Sequence, residues 1–433
     1  MNITLAAILM VSIVILSVFV KKIPMQFTLC IVPVICALLI GYSIQDIGDI
    51  AVNSINRSMK AAGYMCFFAM IYFTMLSETG MFTILIKKLL KFSKGSLNVY
   101  AVMIMTSAIA AVSMLTATIV TAYLIVFPIM MPIYKKMNFN RKAAMIIAQT
   151  SIAAMCFVPW GIAVVNSSVF AGVDAMELSR RLIPVAFCFI PAIVLQWVYF
   201  GYRHKKDGGL KSVEWSEADG ESGTKEDSME RPKLFWVNFV VFLGVIAMLA
   251  ANRVPSYLIF IAASFITLML NYPEPKEYQK LLGKAGNRFY NTMFMLIGIS
   301  IFIGIFQDTD MVSALASSIV GNFPVFLTRY IHIVLAAVMI VVIRFMPNKI
   351  YNSMYPVLIS IGTKFGLAGT DVIAPFVCNM SLATGSSPFT ATTHVGVGLL
   401  EIDVDEYCKE AVTVQTVTNL LILAVALVTG VVR

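Results

Sequence analysis

Apolar residues fall in long blocks separated by short polar or charged breaks. Blocks at 3–20, 25–42, 60–78, 141–172, 178–202, 233–250, 255–271, 288–306, 370–401 and 409–432 are each long enough to serve as a membrane span, for which about 20 apolar residues are required. Two further blocks, about 97–133 and 326–364, are too long for one span and carry a polar interruption near the middle. Each therefore predicts a helical hairpin that enters and leaves on one side. The pattern predicts an all-α polytopic membrane protein with two re-entrant hairpins and two broken helices.

The interruptions form two matched sets. The first holds Ser113, Thr116, Thr118 and Thr121, then Pro159, Trp160, Gly161, Asn166 and Ser167. The second holds Asn348, Asn352 and Ser353, then Thr384, Gly385, Ser386, Ser387, Pro388, Thr390, Thr392, Thr393 and His394. Broken polar backbone at membrane depth is tolerated only where protein buries it or where it lines a cavity. A single proline often makes only a kink, and Ser and Thr are common at helix contacts in membranes. Interruptions at matched positions in two halves point instead to a transporter's binding site.

The halves read as repeats. Phe127-Pro128 and Tyr355-Pro356 are 228 residues apart, while Pro159 and Pro388, and Asp174 and Asp403, are 229 apart. Each half runs as span, amphipathic segment, hairpin, broken span and final span. The segment from Met81 to Phe92 carries Lys87, Lys88 and Lys91, whereas that from Met311 to Val320 carries no basic residue. One belongs inside and the other outside, so the repeats are expected to be inverted. The division expected is N-terminal scaffold helices at 1–58, a first repeat at 59–202, a linker at 203–232, scaffold helices at 233–287 and a second repeat at 288–433.

Charge sets the orientation. Lys21-Lys22, the 87–94 run, Lys135 to Lys142, Arg203 to Lys206 and Lys276 to Arg288 fall on one side, which the positive-inside rule makes cytoplasmic. The N-terminus is then outside and the first block is a retained helix, because no basic residue precedes it and no small-residue cleavage site follows. The acidic stretch Glu401 to Glu410 also falls inside, although acidic residues weigh little in the rule. Segment 203–232 is hydrophilic and reads as a flexible cytoplasmic linker.

Composition removes the soluble classes: 59% of residues are hydrophobic and 13% charged, with mean hydropathy +0.86. The net charge of +9 is spread over short loops. It reports topology and contact with anionic lipid, not nucleic-acid binding. Seven cysteines without a Cys-x-x-Cys pair and three scattered histidines support no metal or disulfide frame. No phosphate-binding glycine loop is present, so neither a cofactor nor direct ATP drive is expected. An intramembrane enzyme would need convergent catalytic groups, and His394 beside Thr392 and Thr393 is the one hint of them.

Freed NH groups at a mid-membrane break can face an anion, and freed carbonyls a cation. Hydroxyl and amide side chains add polarity without a buried full charge. His394, Glu78 and Thr384 are the candidates for a coupling ion, and Arg344 and Lys349 flank the second tip as possible carboxylate partners.

Several of these stretches resemble the citrate–metal:proton symporter family of the ion-transporter superfamily. They are Ala117-Thr118 through Leu124, Phe127-Pro128, Pro132 to Met137, Val158-Pro159-Trp160-Gly161, Ala171 to Asp174 and Leu182 to Val185. Ser387-Pro388-Phe-Thr390-Ala-Thr392, Gly396 to Leu399 and Glu401 follow in the second half. The resemblance implies a homodimer in the plasma membrane, each protomer with a scaffold and a transport domain that moves like an elevator. It implies a small organic anion as substrate, citrate or another carboxylate, carried by proton or sodium symport and possible as a divalent-metal complex. By the same resemblance Thr116, Thr118, Pro159, Trp160, Gly161, Ser387, Pro388, Thr390 and Thr392 fall on motif positions. The chain departs from the family in having no acid before the first tip and Asn166 where an arginine is usual. These departures favour a smaller or less charged carboxylate, and sodium over protons. A sodium/proton antiporter or inorganic-anion permease of the same superfamily is the alternative.

Overall fold

The computed structural model describes residues 1–19, 23–82, 84–85, 95–116, 118–215, 229–251, 253–322, 324–345 and 350–432. Helices dominate the described residues. α1 (Ile3–Phe19) and α2 (Met25–Leu39) lead to α3 (Ile44–Ser58), which runs through a π-helical turn at Met59–Gly63 into α4 (Tyr64–Glu78). The block at 60–78 is thus the second half of one 35-residue helix. At 1.5 Å per residue this greatly exceeds the hydrocarbon thickness of about 30 Å. Its first half therefore projects beyond the membrane, and α3 is accordingly amphipathic, opened by Ser43, which accepts from Asp46 N.

β1 (Gly95–Asn98) precedes the first hairpin, whose arms are α5 (Val99–Met114) and α6 (Ile119–Met137). The first broken span is α7 (Arg141–Ala154) and α8 (Ile162–Ala171), followed by α9 (Ala175–Lys206) and β2 (Ser212–Trp215). The second half repeats this order: α10 (Phe235–Ala251), α11 (Ser256–Asn271), α12 (Pro275–Asp308), α13 (Met311–Asn322), hairpin arms α14 (Val325–Phe345) and α15 (Ile350–Lys364), then α16 (Gly369–Ser386), α17 (Ala391–Leu399) and α18 (Val404–Val428). The recurrence takes in α1–α3, α10 and α11, from the segments 1–58 and 233–287 expected as scaffold, and α12 runs across the expected boundary at 287. α12, at 34 residues, matches the long α3–α4 helix and likewise exceeds a single membrane crossing.

Contacts recur in the same way. The first arm of each hairpin packs on the first half of the broken span that follows it, α5 on α7 and α14 on α16. Across the halves, α16 lies against both α7 and α8, and α17 lies against α6. α12 packs closely on α2 and α3. A Cβ at Gly298 would stand 2.9 Å from the Gln26 carbonyl, and Ser54 donates to the Ser300 carbonyl at 2.6 Å. Small residues permit this approach, as is usual between helices in lipid.

The first hairpin begins and ends on one side. β1 pairs antiparallel with β2, Gly95 opposite Trp215 and Asn98 opposite Ser212. At the other end, Leu210 N donates to the Met137 carbonyl, and Phe139 lies 5.6 Å from the His204 ring. One short segment thus meets both the entry and the exit. The linker expected to be structureless supplies a strand and this contact, and its 216–228 portion is outside the described residues. For the second hairpin, α13 leads directly into α14 and packs on α15. Lys364, at the end of α15, bonds Ser317 of α13. A 68° bend between α12 and α13 follows at Thr309-Asp310, where Asp310 takes a positive φ of 58°.

Candidate functional site

The first hairpin's arms are joined through Leu115, Thr116 and Thr118, with 117 outside the described residues. Thr118 caps α6, accepting from Thr121 N and donating to Thr121 Oγ1 at 2.6 Å. Thr116 Oγ1 donates to the Ser113 carbonyl at 2.8 Å. Ser113 itself is fully buried, and its Oγ has no partner among the described residues. The first broken span opens over residues 155–161, a wider gap than a proline kink makes. Buried Trp160 reaches back from it and donates Nε1 to the Leu115 carbonyl at 3.2 Å. That bond joins the first tip to the first break. Gly161 is required by space: a Cβ there would stand 3.0 Å from the main-chain oxygens of Cys156 and Val158.

α8 starts from Gly161 with no side-chain cap, and α17 starts from Thr390 with none. Both helix starts therefore leave main-chain donors and a positive dipole end at the break. One turn into α8, Asn166 Oδ1 and Ser167 Oγ are buried without hydrogen-bond partners among the described residues. Ser167 is close to the equally unpartnered Tyr355 hydroxyl of α15, and Phe170 meets the Tyr355 ring at 5.3 Å. The first break is thereby placed against the second hairpin. Few buried polar atoms go unpaired without a reason. Such atoms of Ser113, Asn166, Ser167, Ser353 and Tyr355 fall on the two hairpins and the first broken span, while others lie on α4, α9, α11 and α18.

The second break is differently finished. Thr384, partly buried, accepts at its carbonyl from Thr390 Oγ1 at 2.6 Å and from Thr393 Oγ1 at 3.1 Å. The two threonine hydroxyls lie 2.8 Å apart, and Thr390 also reaches the Ser387 carbonyl. Ser387 Oγ accepts from Phe389 N, Ser386 turns back onto the Leu382 carbonyl, and Tyr407 donates to the Gly385 carbonyl at 2.8 Å. His394 is exposed, with Nε2 2.8 Å from the Pro388 carbonyl. Thr392, beside it, is half-buried. The carbonyls around this break are thus largely engaged within the protein, forming a compact oxygen cluster centred on Thr384, Thr390 and Thr393.

Other expected residues lie elsewhere. Glu78, at the end of α4, pairs with Lys284 at 2.6 Å, away from both breaks. Asn352 is buried, and its Nδ2 makes a weak 3.9 Å approach to the Met295 sulfur. Ser353 also borders an apolar cavity of about 250 Å³ beside α1. Asn348, with the second tip at 346–349, lies outside the described residues. Among the described residues no group of His, Cys, Asp and Glu is arranged to hold a metal. Sequence reading gave Tyr355 no site role, because a tyrosine in an apolar run signals packing; its closeness to Ser167 depends on the fold.

A family model described as citrate transporter matches residues 1–385. The chain belongs to the citrate transporter family. It is 25% identical to the Mg(2+)/citrate complex secondary transporter of Bacillus subtilis, over 95% of this chain and 94% of that one. It is equally similar to the citrate transporter of the same organism, over 93% of each. An uncharacterized transporter of that species, YraO, is 22% identical over 97% of both chains. Among solved structures, the YdaH transporter of Alcanivorax borkumensis superposes with a TM-score of 0.60 over 89% of each chain, at 11% identity. That likeness shows the fold alone, a many-helix arrangement shared by this citrate transporter family member.

Proposed function

We propose that the chain is a secondary active transporter for citrate or a smaller carboxylate, taken alone or with a divalent cation, in symport with sodium or protons. The observation that carries this is the first break. An uncapped helix start at Gly161 is followed one turn on by the buried oxygens of Asn166 and Ser167, and Trp160 beside it bonds Leu115 at the first tip, two residues from Ser113. Hydroxyl and main-chain donors suit a carboxylate, while Asn166 Oδ1 suits a cation accompanying it. The Thr384–Thr390–Thr393 oxygens offer a neutral site for sodium, which favours oxygen ligands without fixed charge. The relatives named for citrate, and for its magnesium complex, support the substrate class.

An inverted repeat and an elevator movement complete the reading. The moving body would comprise the two hairpins, the two broken spans, α9 and α18. The remaining long helices would serve as the scaffold and as a homodimer interface in the lipid of the plasma membrane. Lys135, Arg141, Lys142 and Arg203 lie at the ends of the first hairpin and α9, and by the positive-inside rule they support a cytoplasmic placement for that side and an external N-terminus. Uptake of labelled citrate and smaller carboxylates into proteoliposomes, under imposed sodium or proton gradients and with or without magnesium, tests the proposal. Flux driven by one gradient is expected; no carboxylate flux under any gradient would refute it.

A further inference from the structure

A corresponding pair of buried side-chain chains links each hairpin to its own broken helix. In the first half, Tyr123, five residues into α6, donates its hydroxyl to Gln149 Oε1 on α7. Gln149 is fully buried, and its Nε2 donates onward to the Ser381 carbonyl and to Ser381 Oγ of α16. In the second half, Tyr351, at the start of α15, donates to Asn379 Oδ1 on α16 at 2.7 Å. Asn379 is also fully buried, and its Nδ2 donates to the Ala336 carbonyl of α14 at 2.7 Å.

The tyrosines are 228 residues apart (351 minus 123) and the amides 230 (379 minus 149), the offset of the interruptions themselves. Each tyrosine sits on the arm that leaves a hairpin tip, and each amide on the broken-span half that leads into a break. The fit is close. A Cβ on Gly385, two residues before Ser387, would collide with the Gln149 side chain.

We propose that Gln149 and Asn379 are positioning residues. Each latches the outgoing arm of its hairpin to the broken helix, so that tip and break keep a fixed geometry and travel together rather than the hairpin swinging open as a gate. A buried amide with both ends satisfied rigidifies its surroundings, whereas one left half-satisfied destabilises them. The Gln149 latch also fastens α7 to α16, joining the two halves of the site. The proposal rests on the transporter reading for its effect on flux, but its structural content does not.

The test exploits chemistry at constant shape. Gln149→Glu and Asn379→Asp keep the size and the oxygen that accepts from tyrosine. Only the protonated acid can still donate to the main-chain carbonyl. Amide hydrogen exchange of residues 113–130 and 350–360 is followed between about pH 5 and pH 9, a range that covers raised pKa values of buried carboxyls. The wild type, run in parallel, removes any titration of Tyr123, which bonds Gln149, and of Tyr407, Cys156 and Cys408 near that tyrosine. Expected is wild-type protection at the acid end, lost by about fivefold or more as the acid ionises, since one hydrogen bond is at stake. Carboxylate uptake in proteoliposomes should fall over the same range through its maximal rate, with KM changing less. Tyr123→Phe and Tyr351→Phe, which remove one oxygen each, should show the loss at every pH and provide the check if an acid variant does not fold. Wild-type exchange in all four variants would overturn the latches. A wild type that moves no carboxylate would overturn the transporter reading, while the exchange data still judge the latches.

Discussion

At the scale of single residues, two buried serines near the first break look alike in sequence and differ in what they bond. Ser179 Oγ donates to the Phe157 carbonyl at 2.6 Å, closing one freed oxygen of the break. Ser113 Oγ bonds nothing among the described residues. Removing a satisfied partner leaves a buried carbonyl bare, so Ser179→Ala should lower stability by about 1–3 kcal/mol. Ser113→Ala removes an unsatisfied hydroxyl and should leave the melting temperature unchanged or slightly raised. If that hydroxyl donates to a carboxylate, the same change should raise KM about tenfold or more, the worth of a hydrogen bond to a charged group. Thermal unfolding in detergent and uptake kinetics on both variants check the pair. Equal destabilisation with an unchanged KM would return Ser113 to ordinary packing.

At the scale of elements, the breaks depend on main chain that cannot move aside. Gly161 takes φ −69°, so its conformation suits any residue; the need for glycine is the pair of carbonyls 3.0 Å from where a Cβ would be. Gly161→Ala should cost about 1–3 kcal/mol by overpacking. It should also shift the start of α8 and lower uptake, which a melting curve beside a flux assay would reveal. Hydropathy and its interruptions were enough to identify an all-α polytopic membrane protein, because lipid allows polar backbone so few alternatives. Three features were not legible. The fusion of α3 with α4 was hidden because the projecting half is polar and reads as a loop. The β1–β2 pairing was hidden because four-residue strands carry no period. The Tyr355–Ser167 and Gln149–Ser381 proximities join residues 188 and 232 positions apart, respectively, and no local pattern encodes them.

At the scale of the molecule, the cytoplasm-assigned end is held by ion pairs that cross between halves. Glu401 meets both Lys135 at 3.2 Å and Arg141 at 3.0 Å, Lys142 meets Glu406 at 3.1 Å, and Arg203 meets Glu410. The acidic stretch that seemed misplaced on the basic side is there as its counterpart. The hydrogen bond from Lys135, then its charge, holds the Glu401 carboxyl below its ordinary range. Because the folded value is the lower one, this contribution is present above the unfolded carboxyl's pKa and is lost as pH falls through the depressed value. Exposed pairs are individually weak and screened by salt, so Glu401→Gln should be tolerated at neutral pH and should flatten the acid limb of the stability profile.

The pairs also discriminate between modes of movement. All four join elements that the elevator reading places in one moving body, so their separations should stay constant through transport. The cleft on the opposite side differs. A cavity of about 510 Å³ there is lined by Lys60, Ser256 and Tyr257 from the scaffold helices and by Asp174, Glu177 and Arg180 at the start of α9. Its width must change if one body slides past the other. In a background without the native cysteines, a short bifunctional thiol reagent across Lys60→Cys and Arg180→Cys should abolish uptake, reversibly for a cleavable linker. A disulfide or the same reagent across Lys135→Cys and Glu401→Cys should leave most uptake intact. Hairpins opening as gates within a fixed body would reverse the pattern: the cleft cross-link would be harmless, and tying the exit of the first hairpin to the end of α17 would stop transport.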